Sequence, residues 1–401
     1  MNFSLEEQGQ ILASGRSNNR LDTTRLEGMF PEVKPIGVAV REVIERYRAS
    51  YVPRAAPPLP PPPAPVGHLL VTGGAGFIGS NFLNLFCREN PGVQVTNVDA
   101  LYYCGNEQNV DASIRSLPNY RFVQLNLQEF DDVVELVKNS CITHVIHFAA
   151  QSHVQSSFND ARRYTQDNVV GTHNLLEAMR LHNPHLRKFI HVSTDEVYGE
   201  SMLGEGESSK TEQSVLCPTN PYAATKAAAE LIAQSYHHSF GMPIVITRGN
   251  NVYGPNQYPE KVIPRFVSQL QQGKKVTVQG DGSCVRAFMH ASDAASAFDI
   301  ILKRGAIGEI YNIGCDEGME HTVLDVANRL IKLVRGDTAK PEDWIEYIAD
   351  RPFNDQRYYI SNRKLKALGW KQTVPFEEGL KDVVIRGPDQ PDLEGEAHVN
   401  A

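Results

Sequence analysis

The sequence predicts an α/β fold: a parallel sheet with helices on both faces, followed by a smaller C-terminal α/β region. Three observations predict it. Short apolar runs that indicate buried strands alternate with helical patterns between about residues 68 and 247. A run of glycines joins the first strand to the first helix, and beyond about residue 255 the alternation loosens into shorter segments. Strands separated by helices pair in parallel through right-handed crossovers, so the alternating part of the chain is expected to form the main sheet.

A Rossmann-type nucleotide site is indicated where the first strand, at 69–71, meets the first helix. The loop between them contains Gly73, Gly76 and Gly79, and Asp99 ends the second strand 20 residues after the last glycine. Glycines let the backbone approach a pyrophosphate, and the helix N-terminus faces the anion. The Asp99 carboxylate would accept a hydrogen bond from a ribose 2′-hydroxyl and repel a 2′-phosphate, so NAD is favoured over NADP. The alternative is a purely structural glycine turn.

The remaining elements follow in order along the chain. Strands are predicted at 93–98, 121–125, 144–148, 188–192 and 243–247, with two short ones at 275–278 and 284–289. Helices are predicted through 82–86, at 129–138, through 169–179, from within 218–226, and after 264, and the last helix ends near 385. The expected organisation is an N-terminal extension (1–66), a NAD-binding domain (67–248), a mainly substrate-binding region (249–385) and a disordered tail (386–401), which has too little apolar content to pack.

Polar and small residues follow two of the central strands. Ala149 and Ala150, after the 144–148 strand, suit backbone that lies close to a cofactor, and His153 either contacts a substrate or caps its loop. Asp195 and Glu196 follow the 188–192 strand, at the edge where ligands bind in open α/β sheets. Neighbouring carboxylates can be driven to different pKa values and serve as an acid and a base. The alternative is that both are solvated loop carboxylates.

A tyrosine and a lysine at helical spacing form a second candidate for chemistry. Tyr222 and Lys226 are four residues apart, so they share one face of the predicted helix. A cation beside a phenol stabilises the phenolate, which would lower the pKa of Tyr222 and make it a base for an alcohol hydroxyl. The alternative is that both side chains only pack or face solvent.

Four cations in the later part of the chain are candidate ligands for a diphosphate. Each is alternatively an ordinary surface charge. They are Lys261, Arg286, Arg351 and Arg357.

Composition excludes several classes of protein. The net charge of −8 over 401 residues argues against a nucleic-acid binder that tracks phosphates. The six cysteines are too far apart in sequence for a zinc clip or redox pair, so no metal site is predicted. No apolar run is long enough to span a membrane, and no secretory signal is visible, so a cytoplasmic protein is expected.

The first 66 residues contain two features of their own. Apolar residues recur at helical spacing between Ile36 and Tyr51, which predicts a short amphipathic helix. The proline-rich run at 53–65 predicts polyproline II, either as a stiff spacer or as a segment that docks on a proline-reading protein.

Taken together, these motifs resemble the extended short-chain dehydrogenase/reductase superfamily. The 73–79 loop is similar to its cofactor loop, and Tyr222 and Lys226 match its tyrosine–lysine pair. Within it, the run at 193–199 (Ser-Thr-Asp-Glu-Val-Tyr-Gly) is similar to the signature of nucleotide-sugar 4,6-dehydratases, and the runs at 248–261 and 350–358 extend the match. The wording of the last two resembles UDP-glucose 4,6-dehydratases of the rhamnose-synthase type, with dTDP-glucose enzymes close behind. The resemblance covers about residues 68–380.

The resemblance implies a mechanism. NAD stays bound and takes the C4 hydride, while Tyr222, poised by Lys226, takes the O4 proton and Thr194 hydrogen-bonds the C4 oxygen. Glu196 then removes the C5 proton, Asp195 protonates the departing C6 hydroxyl, and the hydride returns to C6. A homodimer is implied, built through the helix that carries Tyr222 and the one before it.

The resemblance also implies two sets of binding residues. Those expected to bind NAD are Gly73, Gly76, Phe77, Ile78, Gly79, Asp99, Asn126, Leu127, Ala149, Ala150, Ser152, Tyr222, Lys226 and Asn250. Those expected to bind the nucleotide sugar are His153, Thr194, Asn251, Lys261, Arg286, Arg351 and Arg357. Asn126-Leu127 and Gln155 depart from the family pattern, which has Asp-Ile and Asp at these places.

Several alternatives remain open from sequence. The preference between UDP-glucose and dTDP-glucose is not readable. A 4-epimerase needs only the tyrosine base, and a UDP-glucuronate decarboxylase has Ser-Glu in place of Asp-Glu, so Asp195 argues against both. A catalytically inactive scaffold is disfavoured because Tyr222, Lys226, Asp195 and Glu196 are all present.

Overall fold

The computed structural model describes residues 65–201, 208–316, 318–349 and 355–386, together with Val38, Glu42 and Glu45. The chain divides into two units, Met1–Pro62 and Pro63–Ala401. In the first unit the three described residues are helical, and the rest of the predicted amphipathic helix lies outside the described residues, as do the proline run up to Ala64 and the tail from Gly387.

The described strands are numbered here in chain order. They are β1 His68–Thr72, β2 Gln94–Asp99, β3 Tyr120–Gln124, β4 His144–His147, β5 Lys188–Thr194, β6 Ile244–Gly249, β7 Asn251–Tyr253, β8 Val276–Gln279, β9 Val285–His290, β10 Ile310–Ile313, β11 Glu320–Thr322 and β12 Ile345–Ile348.

The described helices are numbered in the same way. They are α1 Phe77–Glu89, α2 Ala112–Arg115, α3 Phe130–Lys138, α4 Val154–Asn159, α5 Ala161–Tyr164, α6 Gly171–His182, α7 Pro221–Phe240, α8 Val262–Gln271, α9 Ala291–Arg304, α10 Val323–Arg335, α11 Pro341–Trp344, α12 Arg363–Ala367 and α13 Phe376–Arg386. A π-helical turn, Thr165–Val170, precedes α6, and a short 3-10 turn, Asp195–Tyr198, follows β5.

The main sheet confirms the predicted α/β fold. Its seven strands within the described residues run in the order β10-β6-β5-β4-β1-β2-β3. All six pairings are parallel. The strand order reverses between β1 and β4, and ligands bind at such switch points beyond the carboxyl ends of the strands.

Apolar side chains cover both faces of this sheet. On one face, Phe82 and Phe86 of α1 pack with Phe298 and Ile301 of α9. On the other face, the apolar sides of α3, α6 and α7 pack on β4, β5 and β6. A third core lies in the C-terminal region between α8, α10 and α13. Two buried faces explain why the strands are apolar along their whole length instead of alternating.

The C-terminal region does not separate cleanly at the expected boundary of 248. Strand β10 returns to the main sheet beside β6, and α9 packs against α1. The two short strands predicted on either side of the Gly280-Asp281-Gly282 turn are present but do not pair with each other. Instead β8 pairs with β12, and β9 pairs with β7 and β11. Among the described helices, none is long and apolar enough to cross a membrane.

Candidate active site

A cavity of about 460 Å³ lies beyond the carboxyl ends of β1, β2, β4, β5 and β6. Most of the residues predicted for cofactor and substrate line it. These are Gly73, Gly76, Phe77, Ile78, Gly79, Asp99, Asn126, Leu127, Ala149, Ala150, Ser152, His153, Thr194, Glu196, Tyr222, Lys226, Asn250, Asn251, Lys261 and Arg286. The structure therefore brings together side chains that lie up to 213 positions apart in sequence, from Gly73 to Arg286.

Three predicted residues are placed differently. Asp195 is only 1% exposed and does not line the cavity, although its neighbours on both sides do. Arg357 also lies outside the lining, because its guanidinium is held by both carboxylate oxygens of Glu320 at 2.7 and 2.6 Å. Arg351 lies outside the described residues.

The glycine loop is shaped by close backbone contacts. Gly73 has a φ of +73°, and a Cβ there would lie 2.5 Å from the backbone nitrogen of Ala149. A Cβ on Gly79 would lie 2.3 Å from the carbonyl oxygen of Gly73. Gly76 is the N-cap of α1 and provides no side-chain cap, so the first N–H groups of the helix are available at the cavity wall. This cradle fits an anionic group such as a pyrophosphate.

Asp99 is fixed at the end of β2. Its Oδ2 accepts the backbone N–H of Ala75 at 3.0 Å, and its Oδ1 accepts that of Leu101 at 2.9 Å. Burial raises the pKa of Asp99, while these N–H donors oppose that rise. Asp99 therefore ties the glycine loop to the second strand as well as facing the cavity, as the predicted ribose contact requires.

The far nucleotide end of the cavity contains residues that the sequence did not single out. Tyr102 and Asp167 line it beside Asn126 and Leu127. The amide of Asn126 donates to the Tyr102 hydroxyl at 3.1 Å, and Asp167 accepts from the side chain of Gln151 at 2.9 Å. Asp167 lies in the π-helical turn before α6, and such turns are frequent at functional sites but cannot be read from apolar periodicity.

Beyond β5, the two candidate carboxyl groups have different surroundings. Asp195 accepts from the amide of Asn250 at 2.6 Å and from the hydroxyl of Thr194 at 3.2 Å. Burial and the charge of Glu196 raise the pKa of Asp195 to about 7. Glu196 faces the cavity and accepts from the amide of Asn220 at 2.9 Å. Burial raises the pKa of Glu196 as well, but Asn220 and nearby cations oppose that rise.

Three residues that surround this pair come from elsewhere in the chain. Asn220 is the N-cap of α7, since its Oδ1 accepts the N–H of Ala223 at 2.8 Å, so one side chain both starts the helix and holds Glu196. The Tyr358 hydroxyl donates to Asp355 and lies 3.4 Å from Glu196. The Asn-Pro pair at the start of α7 was a readable helix-start signal for Asn220.

Tyr222 and Lys226 share the buried face of α7, as their spacing predicted. The expected lowering of the tyrosine pKa is not found. Burial, followed by the charge of Glu196, raises the pKa of Tyr222, and a hydrogen bond with Thr194 only partly opposes this rise. Burial also lowers the pKa of Lys226 to about 8, with Glu230 opposing. A buried ammonium is itself disfavoured, so it does not offset the burial of the phenol.

The end of the cavity built by the C-terminal region carries the cations. Lys261 donates to the carbonyl of Ser152 at 2.8 Å, and Arg286 donates to the carbonyl of Asp355 at 2.7 Å. Arg265, which the sequence did not single out, also lines this end. His153 lies between the two readings left open for it, because it lines the cavity and also contacts Ser156 at 2.7 Å.

The segment that contains Asp355 and Tyr358 crosses the loop after β5. The N–H of Ser201 donates to the carbonyl of Arg357 at 2.9 Å, and the N–H of Lys210 donates to that of Tyr359 at 2.8 Å. Thr219 donates to Asp355 at 2.9 Å. These contacts hold the segment against the wall that carries Glu196.

Comparison with known proteins places this site in a family. The family model described as GDP-mannose 4,6 dehydratase matches residues 70–383. A trifunctional UDP-glucose 4,6-dehydratase/UDP-4-keto-6-deoxy-D-glucose 3,5-epimerase/UDP-4-keto-L-rhamnose-reductase of Arabidopsis thaliana is 45% identical over 318 residues, which cover 78% of this chain and 46% of that protein. The chain thus spans about half the length of the plant relatives that it matches. The dTDP-D-glucose 4,6-dehydratase of Homo sapiens is 44% identical over 79% of this chain and 88% of that protein.

Solved structures agree with these relatives. A dTDP-glucose 4,6-dehydratase from Streptomyces venezuelae, solved with NAD bound, has a TM-score of 0.73 at 38% identity and covers 79% of this chain and 96% of its own. A UDP-glucose 4-epimerase from Thermus thermophilus in complex with NAD has a TM-score of 0.70 at 32% identity, over 79% of this chain and 98% of its own. With the family model spanning residues 70–383 and these relatives above 30% identity, the chain belongs to the GDP-mannose 4,6 dehydratase family.

Proposed function

We propose that the chain is a NAD-retaining nucleotide-sugar 4,6-dehydratase that converts UDP-glucose to UDP-4-keto-6-deoxyglucose and water. The observation that carries this proposal is the carboxyl pair after β5. Glu196 faces the cavity as a partly hydrogen-bonded carboxylate, whereas the pKa of the buried Asp195 is raised to about 7. Elimination of water needs a base and a protonated acid together at neutral pH, and these surroundings favour that division.

The cofactor part of the proposal is supported by the cradle at the glycine loop and by Asp99. The loop backbone and the start of α1 would hold the pyrophosphate, and Asp99 would accept from the adenosine ribose. Tyr222, Lys226 and Asn250 line the part of the cavity next to Thr194. When bound, NAD would accept a hydride from C4 of the sugar and return it to C6.

The chain's own residues would carry the proton steps. Tyr222 would take the O4 proton, because its hydroxyl lies beside Thr194 at the carboxyl end of β5. Glu196 would remove the C5 proton, which a neighbouring 4-keto group makes acidic, and would later return a proton to C5. Asp195 would give its proton to the departing C6 hydroxyl. Lys261 and Arg286 would bind the diphosphate and so position the hexose.

A second candidate substrate, dTDP-glucose, has a specific observation in its favour. The animal dTDP-D-glucose 4,6-dehydratases are 44% identical and are covered over 88–90% of their length, whereas the plant UDP-glucose enzymes are covered over less than half. Their substrates differ only in a ribose hydroxyl and a methyl group. Catalysis as described above is the same for both.

The test is mass spectrometry of the purified full chain incubated with UDP-glucose and dTDP-glucose in parallel, without added reductant. Loss of one water from UDP-glucose, with no net change in NAD, is the expected result. Loss of water from dTDP-glucose alone would keep the reaction and change the substrate. Glu196→Gln should stop water loss, while Glu129→Gln, at an exposed carboxylate before α3, is the matched control. Full dehydration by Glu196→Gln would refute the assignment of the base.

We also propose a homodimer through α6 and α7. Three large apolar side chains on these helices are about half exposed: Leu181, Leu231 and Phe240, at 49, 56 and 55%. Exposed apolar side chains on adjacent helices are typical of an interface. Light scattering should give twice the chain mass, and Leu231→Glu should shift it to the monomer. A wild-type monomer at micromolar concentration would refute the proposal.

A further inference from the structure

The proton balance of the proposed reaction leaves the enzyme changed after one turnover, and this inference rests on that proposed function. Tyr222 collects one proton, from O4 of the sugar. Glu196 takes a proton from C5 and returns one to C5. Asp195 gives one proton to the departing hydroxyl, which leaves as water. At the end, Tyr222 holds one proton too many and Asp195 one too few, so one proton must move from the first to the second before the next turnover.

The hydroxyl of Thr194 lies between these two groups. It is hydrogen-bonded to the phenol of Tyr222, and it donates to Oδ1 of Asp195 at 3.2 Å. The N–H of Glu196 donates to the same hydroxyl oxygen at 3.3 Å, since Thr194 caps the 3-10 turn. With its proton directed at Asp195, the hydroxyl can accept from Tyr222. The order of donors therefore runs from the tyrosine through the threonine to the carboxylate.

The burial of Asp195 makes this link consequential. Asp195 is 1% exposed and absent from the cavity lining, whereas Thr194 and Tyr222 both line the cavity. Its carboxylate accepts hydrogen bonds from the side chains of Thr194 and Asn250. The amide of Asn250 is a donor that does not exchange its proton with a carboxylate in this way. A hydroxyl can donate one proton while it accepts another.

We propose that the Thr194 hydroxyl returns a proton from Tyr222 to Asp195 in every turnover, so that base and acid are reset without exchange with bulk water. In this step the O–H bond of Tyr222 breaks and its proton binds Oγ1 of Thr194, while the Thr194 proton binds Oδ1 of Asp195. Thr194 ends neutral, Tyr222 ends as the phenolate and Asp195 as the acid. No electron moves, and no further reactant is needed.

The charges around the chain of three groups agree with the direction of this transfer. Asp195 faces Glu196 and Arg286, and its pKa is raised to about 7, so it can hold a proton at neutral pH. Tyr222 faces Glu196, Asp195 and Tyr164, which with burial raise its pKa. Release of its proton therefore needs a cation beside the phenol, and oxidised NAD carries one on its nicotinamide ring.

The experiment compares the first turnover with later ones in Thr194→Val and Thr194→Ser. Valine has the shape of threonine without the hydroxyl, and serine keeps the hydroxyl. Rapid-quench measurements with excess UDP-glucose follow product per active site at several concentrations of imidazole buffer at constant pH. For Thr194→Val we expect one product per site in a first phase, followed by a steady rate that is slower by roughly 100-fold and rises with imidazole. Wild type and Thr194→Ser should show rates that do not depend on imidazole.

Other outcomes have separate meanings. Thr194→Val with both phases slowed equally, and no response to imidazole, would overturn the relay and leave Thr194 as a positioning residue for the sugar O4. Equal steady rates for Thr194→Val and wild type would overturn it too. Absence of water loss in the wild-type chain would refute the proposed function instead. Retention of NAD and an unchanged melting transition in both variants exclude misfolding as the cause.

Discussion

Replacement of Asp195 by asparagine should stabilise the fold at neutral and alkaline pH while it abolishes dehydration. Burial and the charge of Glu196 raise the pKa of Asp195 from 3.8 to about 7. A carboxyl group with a raised pKa binds its proton more tightly in the folded chain than in the unfolded chain. Stability from this group is therefore present in full below about pH 4 and is lost as the pH rises to about 7 and beyond.

The size of the effect follows from the shift. From 3.8 to about 7 is a change of about three pH units. One unit corresponds to about 1.4 kcal/mol, so the buried carboxylate costs about 4 kcal/mol of unfolding free energy at about pH 8. Asparagine is uncharged at every pH, and its carbonyl can still accept from the amide of Asn250. Asp195→Asn should thus match wild type near pH 4 and exceed it by about 4 kcal/mol near pH 8.

Urea denaturation of both proteins, followed by circular dichroism from about pH 5 to about pH 8, measures this difference. The matched control is Asp337→Asn, which removes an exposed carboxylate after α10 and should give a difference that does not change with pH. A flat difference for Asp195→Asn, or a variant less stable than wild type near pH 8, would refute the assigned pKa and with it the protonated acid.

Three further substitutions test other parts of the structure. Gly79→Ala would place a Cβ 2.3 Å from a carbonyl oxygen of the glycine loop, so it should cost about 1–3 kcal/mol in urea denaturation and release NAD on gel filtration. Arg248→Met leaves the buried Glu230 without its ion-pair partner and should cost about 3–5 kcal/mol, most of which Glu230→Gln in the same chain should restore. Arg286→Ala should raise KM roughly tenfold or more, because hydrogen bonds to charged groups are lost, whereas Arg357→Ala should leave KM unchanged.

These three have clear contradicting results. Wild-type cofactor content in Gly79→Ala would mean that the loop can shift. Further loss of stability in the double variant would mean that the Arg248–Glu230 pair is not the cause. Equal changes of KM in the two arginine variants would mean that Arg357 reaches the substrate after all.

The sequence predicted the main sheet because each of its strands carries a local signal. The run at 188–192 is apolar and short, and β5 extends it by only two residues, to Thr194. The glycine loop and Asp99 were found for the same reason, since their spacing is local. The partner of a strand is not a local property. Strand β10 carries no sign that it returns to β6, and β8 and β9 flank one turn but pair with different strands.

The same limit applies to the site. Residue types indicated a cationic end of the cavity, but whether a given arginine points into it depends on its neighbours. Arg357 meets Glu320, and Arg265 lines the cavity without a motif to mark it. The pKa of Tyr222 was predicted to fall from one neighbour at helical spacing. Burial and Glu196 decide it instead, and both depend on the folded chain.

The crossing of the 355–359 segment over the wall behind Glu196 sets an order in time during synthesis. Tyr358 is 162 positions after Glu196, and a ribosome adds about 5–20 residues per second. The base is therefore made roughly 10–30 seconds before the tyrosine that lies beside it. During that interval the nascent chain already has the residues of β1–β6, yet the wall of its cavity is unfinished. Errors of translation late in the message would thus damage chemistry that is encoded near its middle.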